Sequence, residues 1–272
     1  MIKAMFFDLD GTLLNDEKKI QESSKSVLNK CKKQGIKICI ATARPPLLKK
    51  MLSFSEEEEQ LFDGGVYCNG GCLKINNVRE YMYIPKEVAV KTIDTVKKYK
   101  GLNVALQMEN EIHAFMYPLE DYAYDKWGIK KEESLTLEQA YVDKSVKILI
   151  HYENIIDSVT RIPKELIEDL HRYCEAKAIM YVTDEGKVIQ IINKDTNKKQ
   201  GIEKIRRKLG IEKDEVAVFG NDVNDIEMLS AYKNSIAMEN SEEKVKEIAN
   251  IITKGNNDDG IAYAIENLLN IK

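Results

Sequence analysis

Two aspartates, Asp8 and Asp10, stand two positions apart at the end of a short apolar run, with Gly11 and Thr12 directly behind them. Three other places offer groups of matching chemistry. Thr42-Ala43-Arg44 follows a second apolar run, Lys198-Lys199 opens a helical stretch, and a third apolar run ends in Gly220-Asn221-Asp222-Val223-Asn224-Asp225. Crowded carboxylates repel one another strongly unless a cation lies between them. Magnesium suits such a cluster, because it takes oxygen ligands in near-octahedral geometry and keeps some of its waters. It would also cancel the repulsion between these acids and an incoming phosphate. A carboxylate can then attack phosphorus and divide hydrolysis into two displacements. What remains of phosphoryl transfer is alignment and charge neutralisation. Thr42 and Lys198 are of the right types to hold phosphate oxygens.

These groups must be brought to one edge, and the pattern of the chain supplies the means. Residues 4–9, 36–41, 66–68, 215–219, 235–238 and 251–253 read as short buried strands. Residues 23–33, 201–209, 226–232 and 242–249 have helical spacing, with Gly35 and Gly210 placed to close two of these helices. Strands alternating with helices predict an α/β fold, a mostly parallel sheet covered on both faces. Ligands of such sheets bind beyond the carboxyl ends of the strands, where all four clusters fall.

The middle of the chain breaks this rhythm. Thr42 and Lys198 are 156 positions apart, far more than a single crossover unit needs. Residues 103–108, 111–117, 146–151, 178–183 and 187–191 read as strands, with hairpin character around Glu109-Asn110. Residues 88–99 and 164–174 read as helices. The spacing predicts an inserted α+β domain over 83–189 within a core of 1–82 and 190–272. An insertion of that size can act as a lid that excludes water, with Pro85 and residues 192–194 as expected hinges. Tyr122, Tyr124 and Trp127 read as packing within the insertion rather than as a ring-binding surface. His113, His151 and His171 lack the partners of a catalytic triad and read as structural or surface residues.

Composition excludes several classes. With 43% apolar residues the chain has ample material for a core. Its 41 basic and 45 acidic residues leave a net charge of −4, against a nucleic-acid binder held by phosphate neutralisation. No apolar run approaches the roughly 20 residues of a membrane span, so no membrane partner is expected. Five scattered cysteines read as reduced thiols of a cytoplasmic protein.

Asp8-Leu9-Asp10-Gly11-Thr12, Thr42, Lys198 and the stretch 220–229 together resemble the four motifs of the haloacid dehalogenase superfamily. More narrowly, the chain resembles the Cof-type phosphatases with a type IIB cap, whose core is a Rossmann-like parallel sheet. Ile40-Ala41-Thr42-Ala43-Arg44, Asn69-Gly70-Gly71, Ala237-Met238-Glu239-Asn240 and Asp258-Asp259-Gly260 add to the likeness. It covers about residues 1–80 and 190–272. The resemblance implies Asp8 as nucleophile and Mg2+ ligand. It implies Asp10 as general acid and base, and as a metal ligand through its backbone carbonyl. Thr42, Ala43 and Lys198 would bind phosphate, Lys198 also restraining Asp8, with Asn224 nearby. Asn221 and Asp225 would complete the metal shell. The substrate implied is a small phosphorylated metabolite such as a sugar phosphate, handled by a monomer or weak homo-oligomer.

One position departs from the family pattern. Asn221 stands where the family carries an aspartate, which predicts an active site with weakened magnesium binding. Asp222 could substitute after a small backbone shift, or Asp225 could take more of the load. Three other readings share some of these residues. A phosphomutase of the same fold would return the phosphoryl group to another hydroxyl. A catalytically weakened metabolite-binding protein would explain Asn221. A phosphorylated receiver domain lacks so long an interruption.

Overall fold

The computed structural model describes residues 1–75, 78–153 and 160–271. In chain order its strands are β1 (Ala4–Phe7), β2 (Lys37–Ala41), β3 (Gly64–Tyr67), β4 (Cys72–Ile75), β5 (Val78–Tyr81), β6 (Leu102–Met108) and β7 (His113–Phe115). They continue with β8 (Leu135–Thr136), β9 (Ser145–Tyr152), β10 (Ala178–Thr183), β11 (Val188–Asn193), β12 (Val216–Gly220), β13 (Asn234–Ala237) and β14 (Ile251–Ile252). Among the described residues they form two sheets, ordered β14-β13-β12-β1-β2-β3-β4-β5 and β10-β11-β9-β6-β7-β8. The chain divides into two compact units. One comprises Met1–Arg44, Phe54–Glu80 and Asn197–Lys272, the other Pro45–Ser53 and Tyr81–Thr196.

In the first unit β1 lies between β12 and β2, parallel to both, in the registers Phe7↔Phe219 and Phe7↔Ile40. β3, β13 and β14 extend the parallel part, and β4 turns back antiparallel to β3. A strand covered on both faces must be apolar throughout, and β1, β3 and β12 are buried at every residue. Ala4, Phe6, Cys39, Val66, Val216 and Val218 pack against Ile202 and Ile205 of the helix Lys198–Lys208. On the other face the Phe7 and Phe219 rings stack with centroids 4.5 Å apart. The helix Glu22–Lys33 buries Ser24, Val27, Leu28 and Cys31, the spacing of one helical face. Glu22 sits in its first turn and Lys30, Lys32 and Lys33 in its last, matching the helix dipole. β4 and β5 were not legible in sequence, since β5 is largely exposed and carries no apolar alternation. The helix expected over 242–249 is only Glu243–Lys246.

The second unit is built on period-2 alternation. Val104, Leu106, Ile148, Ile150, Ile189 and Ile191 face the helices Lys86–Val96 and Lys164–Cys174. Ala105 and Phe115 face the helix Asp121–Trp127 and pack with Tyr124 and Trp127, while Tyr122 is 49% exposed. His113 and His151 are buried with their ring centroids each 5.8 Å from that of Trp127. His171 is exposed.

The units depart from the boundaries read off the sequence. Pro45–Ser53, expected in the core, belongs to the second unit. Its helix Leu48–Leu52 packs on Asp121–Trp127, where Gly128, at φ +68°, leaves room for Met51. The later crossings fall at Glu80/Tyr81 and Thr196/Asn197. Pro85 lies inside the second unit, where it precedes the helix Lys86–Val96. Residues 192–194 lie there too, and the Asn193 amide donates to the Tyr83 carbonyl at 2.6 Å.

All five cysteines are free and buried. Burial pushes the thiols of Cys31 and Cys174 up to about 11, so neither is a ready nucleophile. No helix among the described residues is long and apolar enough to cross a membrane.

Candidate active site

β1 ends at Phe7, and the chain after it turns sharply back. The amide of Asp8 donates to Phe219 O, those of Thr12 and Leu14 to Leu9 O, and that of Leu13 to Asp8 O. Gly11 makes this possible with φ +75°, a conformation that side chains disfavour. A Cβ there would also lie 2.5 Å from Nδ2 of Asn221. The two motif loops therefore meet without a side chain between them. The Thr12 hydroxyl donates to Asn221 Oδ1 at 2.8 Å, which fixes the orientation of the amide.

Asp8 is 6% exposed. Its Oδ1 accepts from Lys198 Nζ at 2.6 Å, and the same Nζ donates to Asp225 Oδ1 at 2.7 Å. Lys198 is placed by the first turn of its helix, which Asn197 caps through the amide of Gln200. Gly70 lets the chain pass close by, since a Cβ there would fall 2.7 Å from the Asn197 carbonyl. Burial pushes the Asp8 carboxyl up, and Asp225 and Asp10 add to that, while Lys198 pulls it down. Lys198 is also buried, yet the two carboxylates hold it firmly protonated.

Asp225 is fully buried, and both its oxygens are engaged. Oδ1 takes Lys198, while Oδ2 accepts the backbone amides of Asn221 at 2.9 Å and Asp222 at 3.1 Å. It thus braces the 220–225 loop in a capping box with Asp222. The Asp222 carboxylate is turned onto the amide of Val223 at 2.7 Å. Asn221, not Asp222, is the residue facing the Asp10–Thr12 loop. Asn224 donates to Asn69 Oδ1 at 3.1 Å, and its own Oδ1 is buried without a hydrogen-bond partner. The amide of Asn69 in turn donates to the Thr42 carbonyl. Thr42 sits at the end of β2, 1% exposed, its hydroxyl accepting from the Arg44 amide at 3.1 Å. Ala43 lies half-buried between them.

Asp10 is the outlier. Arg44 donates to it twice, Nε to Oδ2 at 2.7 Å and Nη2 to Oδ1 at 2.8 Å, and Lys18 Nζ adds a third contact at 2.8 Å. Burial opposes ionisation, but these hydrogen bonds and charges outweigh it and hold the carboxyl well below the usual range. Sequence reasoning placed Arg44 beside the site but gave it no partner, and it missed Lys18 entirely. Lys18 sits in a polar loop with nothing to set it apart from surface lysines. Asn240, which belongs to one of the stretches that resemble the family but was given no role, donates to Gly11 O at 2.9 Å, and Asn256, missed in sequence, donates to Leu14 O at 3.0 Å.

The model of the haloacid dehalogenase-like hydrolase family matches residues 5–265. The chain belongs to that family. Among curated relatives, it is similar to the 5-amino-6-(5-phospho-D-ribitylamino)uracil phosphatase YitU of Bacillus subtilis. The two are 28% identical over 261 residues, covering 94% of this chain and 93% of YitU. A second phosphatase of that name and organism, YwtE, is 26% identical over 289 residues, covering 98% of each. Among solved structures, the subclass IIB sugar phosphatase BT4131 aligns over 99% of this chain and 100% of its own, with 25% identity and a TM-score of 0.82. The likeness to subclass IIB phosphatases read from the motifs thus extends over 99% of this chain.

Proposed function

We propose that this hydrolase cleaves phosphate monoesters of small sugar- or polyol-like metabolites through an aspartyl phosphate on Asp8. The observation that carries this reading is the buried Asp8–Lys198–Asp225 chain, set beside a second carboxylate, Asp10, on the same loop. An oxygen of Asp8 attacks phosphorus as the bond to the ester oxygen breaks, and the departing alkoxide takes a proton from Asp10. Water then attacks the aspartyl phosphate, giving its proton to Asp10; the bond between phosphorus and Asp8 breaks, and inorganic phosphate leaves. Lys198 offsets part of the cost of ionising the buried Asp8 carboxyl and fixes its rotamer. Thr42, Ala43, Lys198 and Asn224 surround the phosphate oxygens. Held by Arg44 and Lys18, Asp10 suits the second step, the activation of water. Delivering a proton in the first step requires those contacts to loosen.

The donors here fit a hard cation. Among the described residues no three His, Cys, Asp or Glu side chains gather as a ready-made metal site. A mixed oxygen set would serve instead: the Asp8 carboxylate, the Asp10 carbonyl and the amide oxygen of Asn221, which Thr12 orients. These three would hold Mg2+, with Asp225 behind them contributing charge. When bound, the ion would neutralise charge between the carboxylates and the phosphate.

The test is release of inorganic phosphate from p-nitrophenyl phosphate, hexose phosphates and 5-amino-6-(5-phospho-D-ribitylamino)uracil. It is run with and without Mg2+, on the native protein and Asp8→Asn. Metal-dependent release that vanishes in the variant supports the reading. Release that survives in Asp8→Asn sinks it.

A further inference from the structure

A groove of about 550 Å³ runs along the helix Lys198–Lys208. Five cations line it, Lys199, Lys204, Arg206, Arg207 and Lys213, against one carboxylate, Glu203. Five positive charges less one negative leave the groove at +4, on a chain whose total is −4. The helix keeps this surface apart from the Asp8 site. Lys198, Gly201, Ile202 and Ile205 form its buried face. At 3.6 residues per turn, Glu203 and Arg207 fall on the opposite face, with Lys199 and Lys204 to either side.

The one acid is already committed. Glu203 accepts from Arg206 Nε at 3.0 Å and from the Tyr232 hydroxyl at 2.7 Å, while Arg206 Nη1 donates to Ile211 O at 3.2 Å. This network ties the helix to the chain that follows it and fixes one wall of the groove. Arg207 comes within only 3.6 Å of Glu203, and its side chain is 74% exposed, so its charge is weakly compensated. Lys213 lies over the Tyr232 ring, 5.6 Å from the centroid. Lys199 and Lys204 are half-buried. With the Glu203–Arg206 pair set aside, four cations surround one concavity, and a cleft of one sign concentrates counter-charge.

Dense negative charge over a short length answers this arrangement. Lys199 to Arg207 spans about 12 Å of helix at 1.5 Å per residue, more than one phosphate covers. Tyr232 is 1% exposed and none of the lining residues is aromatic, so the groove offers no ring on which a base could stack. Without the groove's +4 the rest of the chain stands at −8, which opposes a long polyanion running past it. We propose that the groove binds a short linear polyphosphate, free or as the phosphate arm of a larger molecule. The proposal is independent of the phosphatase reading.

The test is isothermal titration of tripolyphosphate, inorganic phosphate and ATP, in Mg2+-free buffer, into the native protein and Lys204→Gln/Arg207→Gln. Tripolyphosphate is expected to bind the native protein about tenfold or more tightly than inorganic phosphate, and to weaken as salt rises. The double variant is expected to lose about tenfold in tripolyphosphate affinity. Its release of phosphate from p-nitrophenyl phosphate with Mg2+ should stay at the native level. ATP and tripolyphosphate of equal affinity support recognition of the phosphates alone; much tighter ATP binding overturns it. Equal tripolyphosphate affinity in native protein and variant places the ligand elsewhere and overturns the proposal. So does salt-dependent self-association that the variant abolishes, with no tripolyphosphate bound. Lys213→Gln, an exposed position, is expected to weaken binding about threefold and carries the test if the double variant folds poorly. Absence of phosphate release from the native protein would count against the phosphatase reading and leave this result standing.

Discussion

The guanidinium of Arg44 grips both oxygens of Asp10, through contacts of 2.7 and 2.8 Å. The proposed acid and base is therefore held as a base. Arg44→Gln removes a charge and the paired hydrogen bonds, so the Asp10 carboxyl rises toward the ordinary range. A base whose pKa rises loses its ionised form at higher pH. The acid limb of the kcat profile is expected to move upward by about one pH unit or more. A pH–rate series on the variant checks this. An unmoved limb would show that Asp10 is not the group titrating there.

Lys198 and Asp8 are expected to separate stability from activity. Lys198→Met leaves two buried carboxylates facing each other without their cation. Removing one partner of such a group costs about 3–5 kcal/mol, and activity should vanish with it. Asp8→Asn should abolish turnover at little cost in stability, because burial already disfavours the ionised carboxyl and Lys198 keeps Asp225. Urea denaturation of both variants beside phosphate release makes the comparison. A marginal stability change in Lys198→Met would contradict the buried-pair account.

The loop after β1 is clamped from the far end of the sequence. Asn240 donates to Gly11 O, and its own Oδ1 accepts the Asn256 amide at 3.0 Å. Asn256, 6% exposed, then reaches Leu14 O and Asp16. Asn256→Ala should cost about 1–3 kcal/mol by stranding a buried carbonyl. Asn240→Leu should instead raise the Mg2+ concentration needed for half-maximal activity, because it frees Gly11 and with it the Asp10 carbonyl. Magnesium activation curves distinguish the two effects.

His113 couples the second unit to pH. Burial, with a smaller push from the Lys147 charge, lowers its pKa to about 4 from an ordinary 6.5, against a hydrogen bond to the Glu111 carbonyl. His151 is lowered by burial as well. Between those values the unfolded chain binds a proton that the folded chain refuses. Stability is therefore full above about pH 6.5 and declines as pH falls toward 4, by about 3 kcal/mol for His113. Chemical denaturation across that range should show the slope, and His113→Leu should flatten it. A native slope unchanged in the variant would assign the effect elsewhere.

Gly11 tests the contact between the motif loops. Gly11→Ala forces a side chain into a left-handed turn and against the Asn221 amide. Loss of activity by about tenfold or more is expected, with the thermal midpoint lowered by several degrees. Full activity in the variant would mean that the Asn221 position does not matter.

Sequence alone determined the parallel sheet and the set of chemical groups at its edge. Apolar runs as short as β1, β2 and β12 can be satisfied only by burial on both faces, and the acids, threonine and lysine stand just past their ends. It also determined that the long middle segment is a folded body, since alternating strands and spaced helices each need a face to cover. Only the tertiary structure decided the pairings. Nothing local distinguishes Arg44 or Lys18 from other basic residues, and their grip on Asp10 exists because turns bring them there. Likewise, sequence offered Asp225 as a metal ligand with Asp222 as its possible substitute, but the turn after β12 commits Asp222 to a helix start and Asp225 to Lys198 and two backbone amides. Asn221 is left facing Gly11 because a backbone turn, rather than residue type, determines which side chain of the loop points at the site.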